Sequence, residues 1–511
     1  MMCRGWVESA GTFVQTRGYH TNRPTEGPAM QIVLDVADEF KPLVDELTLL
    51  LRVVTAKVEE IRTAPTTDYA AVERELAART AAIEAQSHGL LLRAADLDAP
   101  RILVGGKLHR RVGRYPATYF TSAGPVVVER SIFVLASGET EAEAEGEIRE
   151  QRAVDPVSLR VGVVGRGWLP HTARAMAFLL QQGTAREAAA TASELGRLPY
   201  STASFDHVAH EVGAHFQEHS ETIEQALIEA YELPESVTGV SVSLDRVCMP
   251  VEEPLPRPVG RPRRGAPKKP VQRVFRQAYC ATVTLHDAQG DAVHTIRYGC
   301  MPEGDVTGLC DGVCDDVLAL LKQRPTLTVT ALCDGAHELW GLIDEHLAAV
   351  RKVTPVQELI DLWHLLEKLG AAARIHHSAA EASAVVSRWR TALLNARGAS
   401  AKIAAEITGW KQEWLKVGEE TPVHDALTFL EHHRGRLDYA RARRAGCPVG
   451  SGAVEATCKS LISVRMKRAG ARWKQPSADR IIQLRALALS DRWGDAMGLA
   501  LGHLRRQVLA A

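Results

Sequence analysis

The chain has 511 residues, 46% of them hydrophobic and 24% charged, and its formal net charge is −1. This composition excludes a globally disordered protein, and the length favours several domains over one. The nine cysteines include no CxxC pair, so we expect neither a disulfide scaffold nor a Cys-rich zinc module, and a reducing cytoplasm fits. No apolar run reaches the roughly 18 residues of a membrane span, and the start of the chain lacks the apolar core of a signal peptide.

The N-terminal hundred residues divide into two parts. Residues 1–29 are polar and rich in Gly, Thr and Pro, and they predict a disordered leader. Residues 30–100 carry apolar side chains at helical spacing from Ile32 to Leu51, followed by an Ala-, Glu- and Arg-rich stretch at 70–86. This pattern predicts a helical arm, a hairpin or a coiled coil, that packs or dimerises.

Residues 101–150 predict a small β-module followed by an acidic linker. Runs at 101–104 and 126–135 predict strands, with a turn signal at 122–124, and 136–150 is rich in Glu. The module is basic, because between the strands it carries Lys107, Arg110, Arg111 and Arg114. Two interpretations stay open: the module contacts DNA, or the basic side chains form the solvated face of a hairpin.

Residues 151–235 predict a helical domain with a helix-turn-helix outline. An Ala-rich helix at 185–195 ends at Gly196, and Ser201-Thr202 can cap a second helix at 203–216. Two helices joined by a short turn that contains Gly are typical of DNA-binding helix-turn-helix domains. An ordinary packed helix pair has the same outline and is the alternative.

Residues 236–377 predict alternating strands and helices. Strands are expected at Val237–Met249, Phe275–Leu285, Ala292–Tyr298 and Thr326–Cys333, and helices at Val306–Leu321 and Leu339–Val350. This order resembles an RNase H-like core, an α/β fold with a mixed sheet flanked by helices. Residues 378–445 predict an all-α insertion, and 446–511 predict helices that complete the core. The N-terminal DNA-binding region is expected to be mostly helical.

Three acidic residues stand where metal chemistry would need them. Asp245 lies within the first strand of this core, where a carboxylate is costly to bury unless it is paired or binds metal. Asp334 follows the fourth strand, and ligand sites open at strand ends in α/β sheets. Glu455 lies near the start of a helix that glycines introduce. Adjacent strands and a helix across the sheet would gather the three as ligands of two divalent ions, Mg²⁺ or Mn²⁺.

The segments that carry these acids resemble bacterial insertion-sequence transposases of the DDE type, in the retroviral-integrase superfamily. Residues 446–473 read GCPVGSGAVEATCKSLISVRMKRAGARW, similar to the Glu-bearing signature of one such family: G-x-V-E, then K, then R-M-K-x-x-G-x-x-W. Residues 333–337 read CDGAH, and 361–364 read DLWH, similar to the D-x-x-H motif that follows the second Asp in several groups. The resemblance implies that the three acids form a catalytic triad. It also implies auxiliary roles for His337, Asp361 and His364.

The 120 residues between Asp334 and Glu455 exceed what a compact core needs. The excess matches the helical insertion of several transposases in this superfamily, in some of which an insertion tryptophan stacks on a flipped base. Trp389 is the candidate here, and a place in the hydrophobic core is its alternative interpretation. Relatives often carry cysteine pairs around the N-terminal β-module, and this chain has none there, so we expect no structural zinc.

A basic segment at 257–269, within a predicted loop at 250–274, is the first candidate for DNA contact. It reads RPVGRPRRGAPKK, with six Arg or Lys and no acid, and its Pro and Gly residues forbid a helix. Such an extended strip can neutralise phosphates. GRPR at 260–263 resembles the core of an AT-hook, with Val259 where a full hook has Arg. A solubilising loop is the alternative. The predicted contacts are Arg261, Arg263, Arg264, Lys268 and Lys269.

A second basic segment, 434–474, holds eleven Arg or Lys against Asp438 and Glu455. Lys459 follows Glu455 by one helical turn on the same face and would hold a phosphate beside the metals. An ordinary Glu–Lys pair four residues apart is the alternative. The predicted DNA contacts in this segment are Lys459, Arg465, Lys467 and Arg468.

The sequence therefore predicts an enzyme, a DDE transposase that cleaves DNA at the ends of an insertion sequence and transfers the strands. Its expected partners are double-stranded transposon-end and target DNA and further copies of itself, as a homodimer or higher homo-oligomer. A cytoplasmic location, nucleoid-associated when DNA is bound, and no membrane partner are expected. Two alternatives stay open: an RNase H-like structure-selective DNA nuclease, and a non-catalytic DNA-binding protein derived from a transposase.

Overall fold

The computed structural model describes residues 14–18, 30–136, 153–255 and 271–511. Most of the predicted leader, most of the acidic linker and the basic segment 257–269 with its five candidate DNA contacts lie outside the described residues. Within them the protein is mixed α/β.

The strands and helices follow one another along the whole chain. The strands are β1 (Val14–Gly18), β2 (Met30–Leu34), β3 (Arg101–Val104), β4 (Lys107–Thr121), β5 (Gly124–Leu135), β6 (Ala153–Val154), β7 (Gly239–Pro254), β8 (Val271–His286), β9 (Ala292–Cys300), β10 (Thr328–Cys333), β11 (Val356–Ile360) and β12 (Val508–Ala510). The helices are α1 (Lys41–Thr63), α2 (Tyr69–Ala94), α3 (Pro156–Val161), α4 (Pro170–Gln182), α5 (Ala185–Glu194), α6 (Thr202–Glu218), α7 (Ser220–Ala230), α8 (Val306–Gln323), α9 (His337–His346), α10 (Ala348–Val353), α11 (Leu362–His376), α12 (Ala379–Asn395), α13 (Ala399–Gly409), α14 (Pro422–His432), α15 (Tyr439–Arg444), α16 (Gly452–Thr457), α17 (Val464–Met466), α18 (Gln475–Leu489) and α19 (Trp493–Gly502). None of the described helices is long and apolar enough to cross a membrane.

The chain forms two compact units whose bounds differ from the predicted domains. Unit 1 consists of Met1–Thr172, Ala189–Ser201 and Leu504–Ala511, and unit 2 consists of Ala173–Ala188 and Thr202–His503. The predicted helical domain 151–235 is therefore divided between the two units.

Unit 1 is built from the helices α1 and α2, which pack together, and an antiparallel sheet in the order β12-β3-β4-β5-β6. The two predicted strands and the turn between β4 and β5 are confirmed. The sequence pattern did not predict β4, because Gly113 and Pro116 interrupt its alternation. A register shift between Arg111 and Gly113 accommodates the interruption.

Unit 2 is organised around a mixed sheet in the order β11-β10-β7-β8-β9. The strands β7, β8 and β9 pair antiparallel, whereas β10 runs parallel to β7 and β11 runs parallel to β10. All four predicted strands are confirmed in type and place, and β11 is an additional strand. Helices α8 and α9 pack against this sheet and bury a continuous core.

Residues 378–445 contain the helices α12 to α15 and no strand. Their buried side chains, among them Trp389, Leu393 and Leu430, belong to the same core cluster as the sheet. Helix α6, the second helix of the predicted helix-turn-helix, buries Phe205 and Val212 and packs against α18 and α19 within unit 2. Its role in DNA binding stays a prediction.

Candidate functional site

Three aspartates meet where the parallel strands of unit 2 end. The register between β7 and β10, continued past its last pair, sets Asp334 beside Asp245. The register between β10 and β11, continued in the same way, sets Asp361 beside Asp334, and the Asp361 N–H donates to the carbonyl of Cys333 at 2.8 Å. Asp334 and Asp361 thus follow the carboxyl ends of two parallel strands, where ligand sites form in α/β proteins, and Asp245 lies beside them within β7, which continues to Pro254.

Asp245 is half-buried and lies close to the helix that carries Glu455. The backbone N–H of Arg246 donates to its carboxylate at 2.6 Å, and the Cys458 thiol lies 3.3 Å from its Oδ2 atom. Burial raises the pKa of Asp245, and the charge of Asp334 raises it further, while the two hydrogen bonds lower it. Because Cys458 is only three residues after Glu455, this contact brings the Glu455 helix to the aspartates.

Asp334 is fixed by the sharp turn that follows β10. Its Oδ1 atom accepts a hydrogen bond from the backbone N–H of Ala336 at 2.9 Å, and its carbonyl accepts one from the Trp340 indole at 2.7 Å. A Cβ atom at Gly335 would lie 2.3 Å from the Phe429 ring, so only glycine fits between the turn and α14. His337 is exposed at the first position of α9.

Asp361 is fully buried and holds two partners that lead to Glu455. His364 donates to its Oδ1 atom from the backbone at 2.8 Å and from Nδ1 at 3.1 Å. The backbone N–H of Ser451 donates to Oδ2 at 2.5 Å. The Ser451 hydroxyl, which has one proton to donate, lies 2.9 Å from Oδ2 and 3.0 Å from Oε1 of Glu455, so it can donate to either carboxylate. Ser451 therefore lies between the exposed Glu455 side chain and the buried Asp361 and contacts both.

The charges of Asp361 and His364 stabilise each other. Burial alone would raise the pKa of Asp361, but the hydrogen bonds from His364 and Ser451 outweigh it and hold that pKa at about 2. The hydrogen bond to Asp361 raises the pKa of His364 to about 9, despite partial burial, and the charges of Asp334 and Glu455 add to the effect. At neutral pH the pair is a carboxylate and an imidazolium.

Asp361, His364 and Glu455 form a group that could hold a metal ion, because their ligand atoms all lie within 4.8 Å of one another. Glu455 is shared with the predicted metal ligands, whereas Asp245 and Asp334 are not part of this group. His364 would have to release its ring proton to bind a metal there, because only a neutral imidazole offers a lone pair. Without a metal, Asp361 and His364 are hydrogen-bonded to each other beside Glu455.

Asp245, Asp334 and Glu455 do not form such a metal-binding group in the described part of the chain, but all three carboxylates lack a basic partner there. Among the described residues, neither Asp245, Asp334 nor Glu455 forms an ion pair with Lys or Arg. Burial is the main cause of the raised pKa of Asp245, and the nearby charge of Asp334 adds to it. Carboxylate oxygens without a basic partner are the donors that Mg²⁺ and Mn²⁺ prefer.

Of the basic residues predicted near Glu455, some have exposed side chains without an ion pair to a described residue, and others are held by contacts within the protein. Lys459 and Lys467 are exposed and form no ion pair with a described residue, so Lys459 is not paired with Glu455. Arg468 is held by both carboxylate oxygens of Glu187. Lys459 and Lys467 are thus the cations of this helix that are available to a ligand.

Two residues predicted to contact DNA lie inside unit 2. Arg465 is 4% exposed, donates to the carbonyl of Leu180 at 3.3 Å and stacks on the ring of Trp473, 4.8 Å from its centroid. Trp389 is 2% exposed, donates from its indole to Glu406 at 3.0 Å and stacks on Trp410. Both side chains are buried, so their contact with DNA stays a prediction that would require them to move, and the burial of Trp389 agrees with its alternative interpretation as a core residue.

Two residues of this site, Ser451 and Cys458, are not among those predicted from the sequence. Their spacing from Glu455, four residues before and three after, was the available signal, because it places them on one face of a helix. Trp363, next to His364, is a further surface feature: it is 56% exposed, with the Arg390 guanidinium 5.2 Å from the ring centroid.

Comparison with models of known protein families gave no match, and a search among curated proteins gave no relative.

Proposed function

We propose that this protein is a DDE transposase that cleaves DNA at the ends of an insertion sequence and joins the freed strands to target DNA. One observation carries the proposal: the sheet sets Asp245 and Asp334 side by side, and the helix of Glu455 contacts Asp245 through Cys458. The strand order β9-β8-β7-β10-β11 supports an RNase H-like core, and α12 to α15 support a helical insertion before the catalytic Glu.

Asp245, Asp334 and Glu455 would hold two divalent cations. Such a pair activates an attacking oxygen and stabilises the leaving oxygen in an in-line displacement at phosphorus. Ser451 and Asp361 keep the Glu455 carboxylate in place, and the positive His364 moderates the repulsion among the acids. Lys459, one turn beyond Glu455, is placed to bind a phosphate of the DNA backbone.

The test is Mg²⁺-dependent cleavage of DNA from the two flanks of the gene, where terminal inverted repeats are expected. Asp334→Asn removes one carboxylate charge with little change in shape and should reduce cleavage about 1,000-fold or more. The matched control is Asp495→Asn on α19, an exposed aspartate without an ion pair among the described residues, which should cleave like wild type. Equal cleavage by wild type and Asp334→Asn would remove the assignment, and cleavage without strand transfer would indicate a nuclease.

A further inference from the structure

Helix α1 and the turn before it present a continuous apolar stripe. The stripe follows alternating steps of three and four residues over four heptads, the spacing of the core positions of a coiled coil. Its members are Ala37, Phe40, Val44, Leu47, Leu51, Val54, Val58 and Ile61. Six of its large side chains are at least 38% exposed, Leu51 is 66% exposed, and α1 contains no buried residue.

The stripe is distinct from the face by which α1 packs on α2. The face that packs on α2 consists of the positions directly before stripe residues in the sequence, and there Leu43, Leu50 and Val53 are half-buried. Lys57 on the same face reaches Glu75 of α2 at 3.9 Å. Helix α1 therefore has one apolar face that α2 covers and a second that is exposed except at the half-buried Val44, and a row of exposed apolar side chains of this length marks an interaction site.

We propose that this stripe is the interface between two copies of the chain, with their α1 helices antiparallel. The free flank of the stripe is the side away from α2, and it carries Lys41, Thr48 and Arg62. In an antiparallel arrangement the free flanks of the two copies face each other. A parallel arrangement would set each free flank against the side that α2 occupies. In the antiparallel pair, Phe40 packs with Val58 of the second copy, and Leu47 packs with Leu51 of the second copy.

Charge complementarity supports the second copy as the occupant. The antiparallel alignment brings Asp38 close to Arg62 of the second copy and Lys41 close to Glu59 of the second copy, so opposite charges meet at both ends. Within one chain Arg62 and Glu59 already pair at 2.8 Å, but their side chains are 69% and 65% exposed and remain accessible. A single helix pair about 35 Å long is at the small end of stable interfaces, so the dissociation constant is expected in the micromolar range.

Sedimentation of the full chain over about 0.1 to 100 µM, which brackets such an affinity, tests the interface without DNA. Wild type should pass from monomer to dimer, and Leu51→Lys should weaken the dimer at least about 100-fold, because a charge would enter its core. The matched control is Leu91→Lys on α2, where the leucine is 68% exposed and off the stripe; it should behave like wild type. A wild type that stays monomeric, or equal association by wild type and Leu51→Lys, would overturn the proposal.

A charge exchange tests the direction of the helices. Asp38→Arg should weaken the dimer by placing two arginines together, and Asp38→Arg with Arg62→Asp should restore it, because the opposite charges meet again across the interface. Failure of the double variant to recover would overturn the antiparallel alignment. Circular dichroism of each variant should match wild type, since every exchanged side chain is exposed in the single chain.

Discussion

Ser451 connects the buried Asp361 to the exposed Glu455 through one hydroxyl. Ser451→Ala leaves the backbone hydrogen bond to Asp361 intact but frees the Glu455 side chain. Residues that orient metal ligands typically contribute 10- to 100-fold to metal affinity or activity, so we expect a loss of about that size in cleavage, together with a higher Mg²⁺ concentration at half-maximal rate. A Mg²⁺ titration of the cleavage rate provides the measurement.

Ser451→Thr serves as the control for that loss, because it keeps the hydroxyl. It should retain most of the activity at high Mg²⁺. If Ser451→Ala shows the wild-type Mg²⁺ dependence, the hydroxyl does not position Glu455 for metal binding.

Asp245, Asp334 and Glu455 could be singled out from the sequence, and so could Asp361 and His364 through the D-x-x-H motif, but Ser451 and Cys458 could not. Asp245 and Asp334 stand beside apolar strand residues, where a carboxylate needs an explanation. Ser451 and Cys458 have ordinary flanks, and their roles depend on where the Glu455 helix comes to lie against the sheet. That placement is a tertiary contact, between Cys458 and a strand 213 residues earlier, which no local pattern encodes.

Glu224 gives unit 2 a pH dependence that is unrelated to the carboxylate site. Burial raises the pKa of this carboxyl to about 7, and the charge of Asp316 adds to the increase. The folded state therefore binds a proton more tightly than the unfolded state, whose pKa is near 4.5. Between pH 4.5 and 7 the folded state holds the proton and the unfolded state does not, so stability decreases as the pH rises through that window.

Glu224→Gln removes the ionisable group and should therefore remove the decrease in folding stability between pH 4.5 and 7. The variant should gain up to about 3 kcal/mol over wild type at pH 8 and little at pH 4, as read from the urea midpoint of unit 2 unfolding. Glu221→Gln, an exposed glutamate on the same helix, should shift neither midpoint. Identical urea midpoints for wild type and Glu224→Gln at pH 8 would show that ionisation of the buried carboxyl does not destabilise the folded state.

At the scale of elements, β11 is a strand that the sequence pattern could not predict. It has only five residues, and Gln357 and Glu358 stand in its middle, so neither alternation nor an apolar run identifies it. Glu358 is tolerated there because Arg351 and Arg436 pair with it. The longer strands of unit 2 were predictable because each carries an apolar run that the sheet buries.

Helices α12 to α15 depend on Trp389 for their packing. Because this tryptophan is 2% exposed, Trp389→Ala should destabilise the protein by about 3–5 kcal/mol, as large-to-small core changes do. Trp414→Ala is the matched control, since Trp414 is 68% exposed and should change stability by no more than about 0.5 kcal/mol. Thermal unfolding of both variants measures the difference.

Trp389→Phe separates packing from DNA contact. It keeps most of the apolar volume and loses only the hydrogen bond to Glu406, so binding of end DNA should be close to wild type. Weaker DNA binding by Trp389→Phe at unchanged stability would show that the tryptophan leaves the core when DNA is bound.

At the scale of the whole molecule, the assignment of the last residues to unit 1 could not be predicted, because it depends on the pairing of β12. The sequence predicts helices throughout 446–511, yet β12 pairs antiparallel with β3, about four hundred residues earlier. Val508, Leu509 and Ala510 have no alternating pattern long enough to indicate a strand. Only the exposed edge of β3 gives them a partner, and the chain end thereby joins unit 1.

The whole chain has almost no net charge, so the proposed binding of DNA would depend on where unpaired cations are concentrated. Around Glu455 the structure leaves Lys459 and Lys467 without an ion pair among the described residues, whereas Arg468 is bound by Glu187, whose pKa it holds at about 2. Each cation that neutralises a phosphate contributes about 0.9 to the slope of log affinity against log salt. Lys459→Ala and Lys467→Ala should therefore each lower that slope by about this amount.

Arg468→Ala is the comparison that makes the salt experiment decisive. Its guanidinium is already neutralised within the protein, so its removal should leave the slope close to wild type. Anisotropy of labelled end DNA between about 50 and 200 mM salt covers the range in which phosphate contacts dominate affinity. If Arg468→Ala lowers the slope as much as Lys467→Ala, the Glu187 pair opens when DNA binds, and the cationic surface of unit 2 is larger than the free lysines indicate.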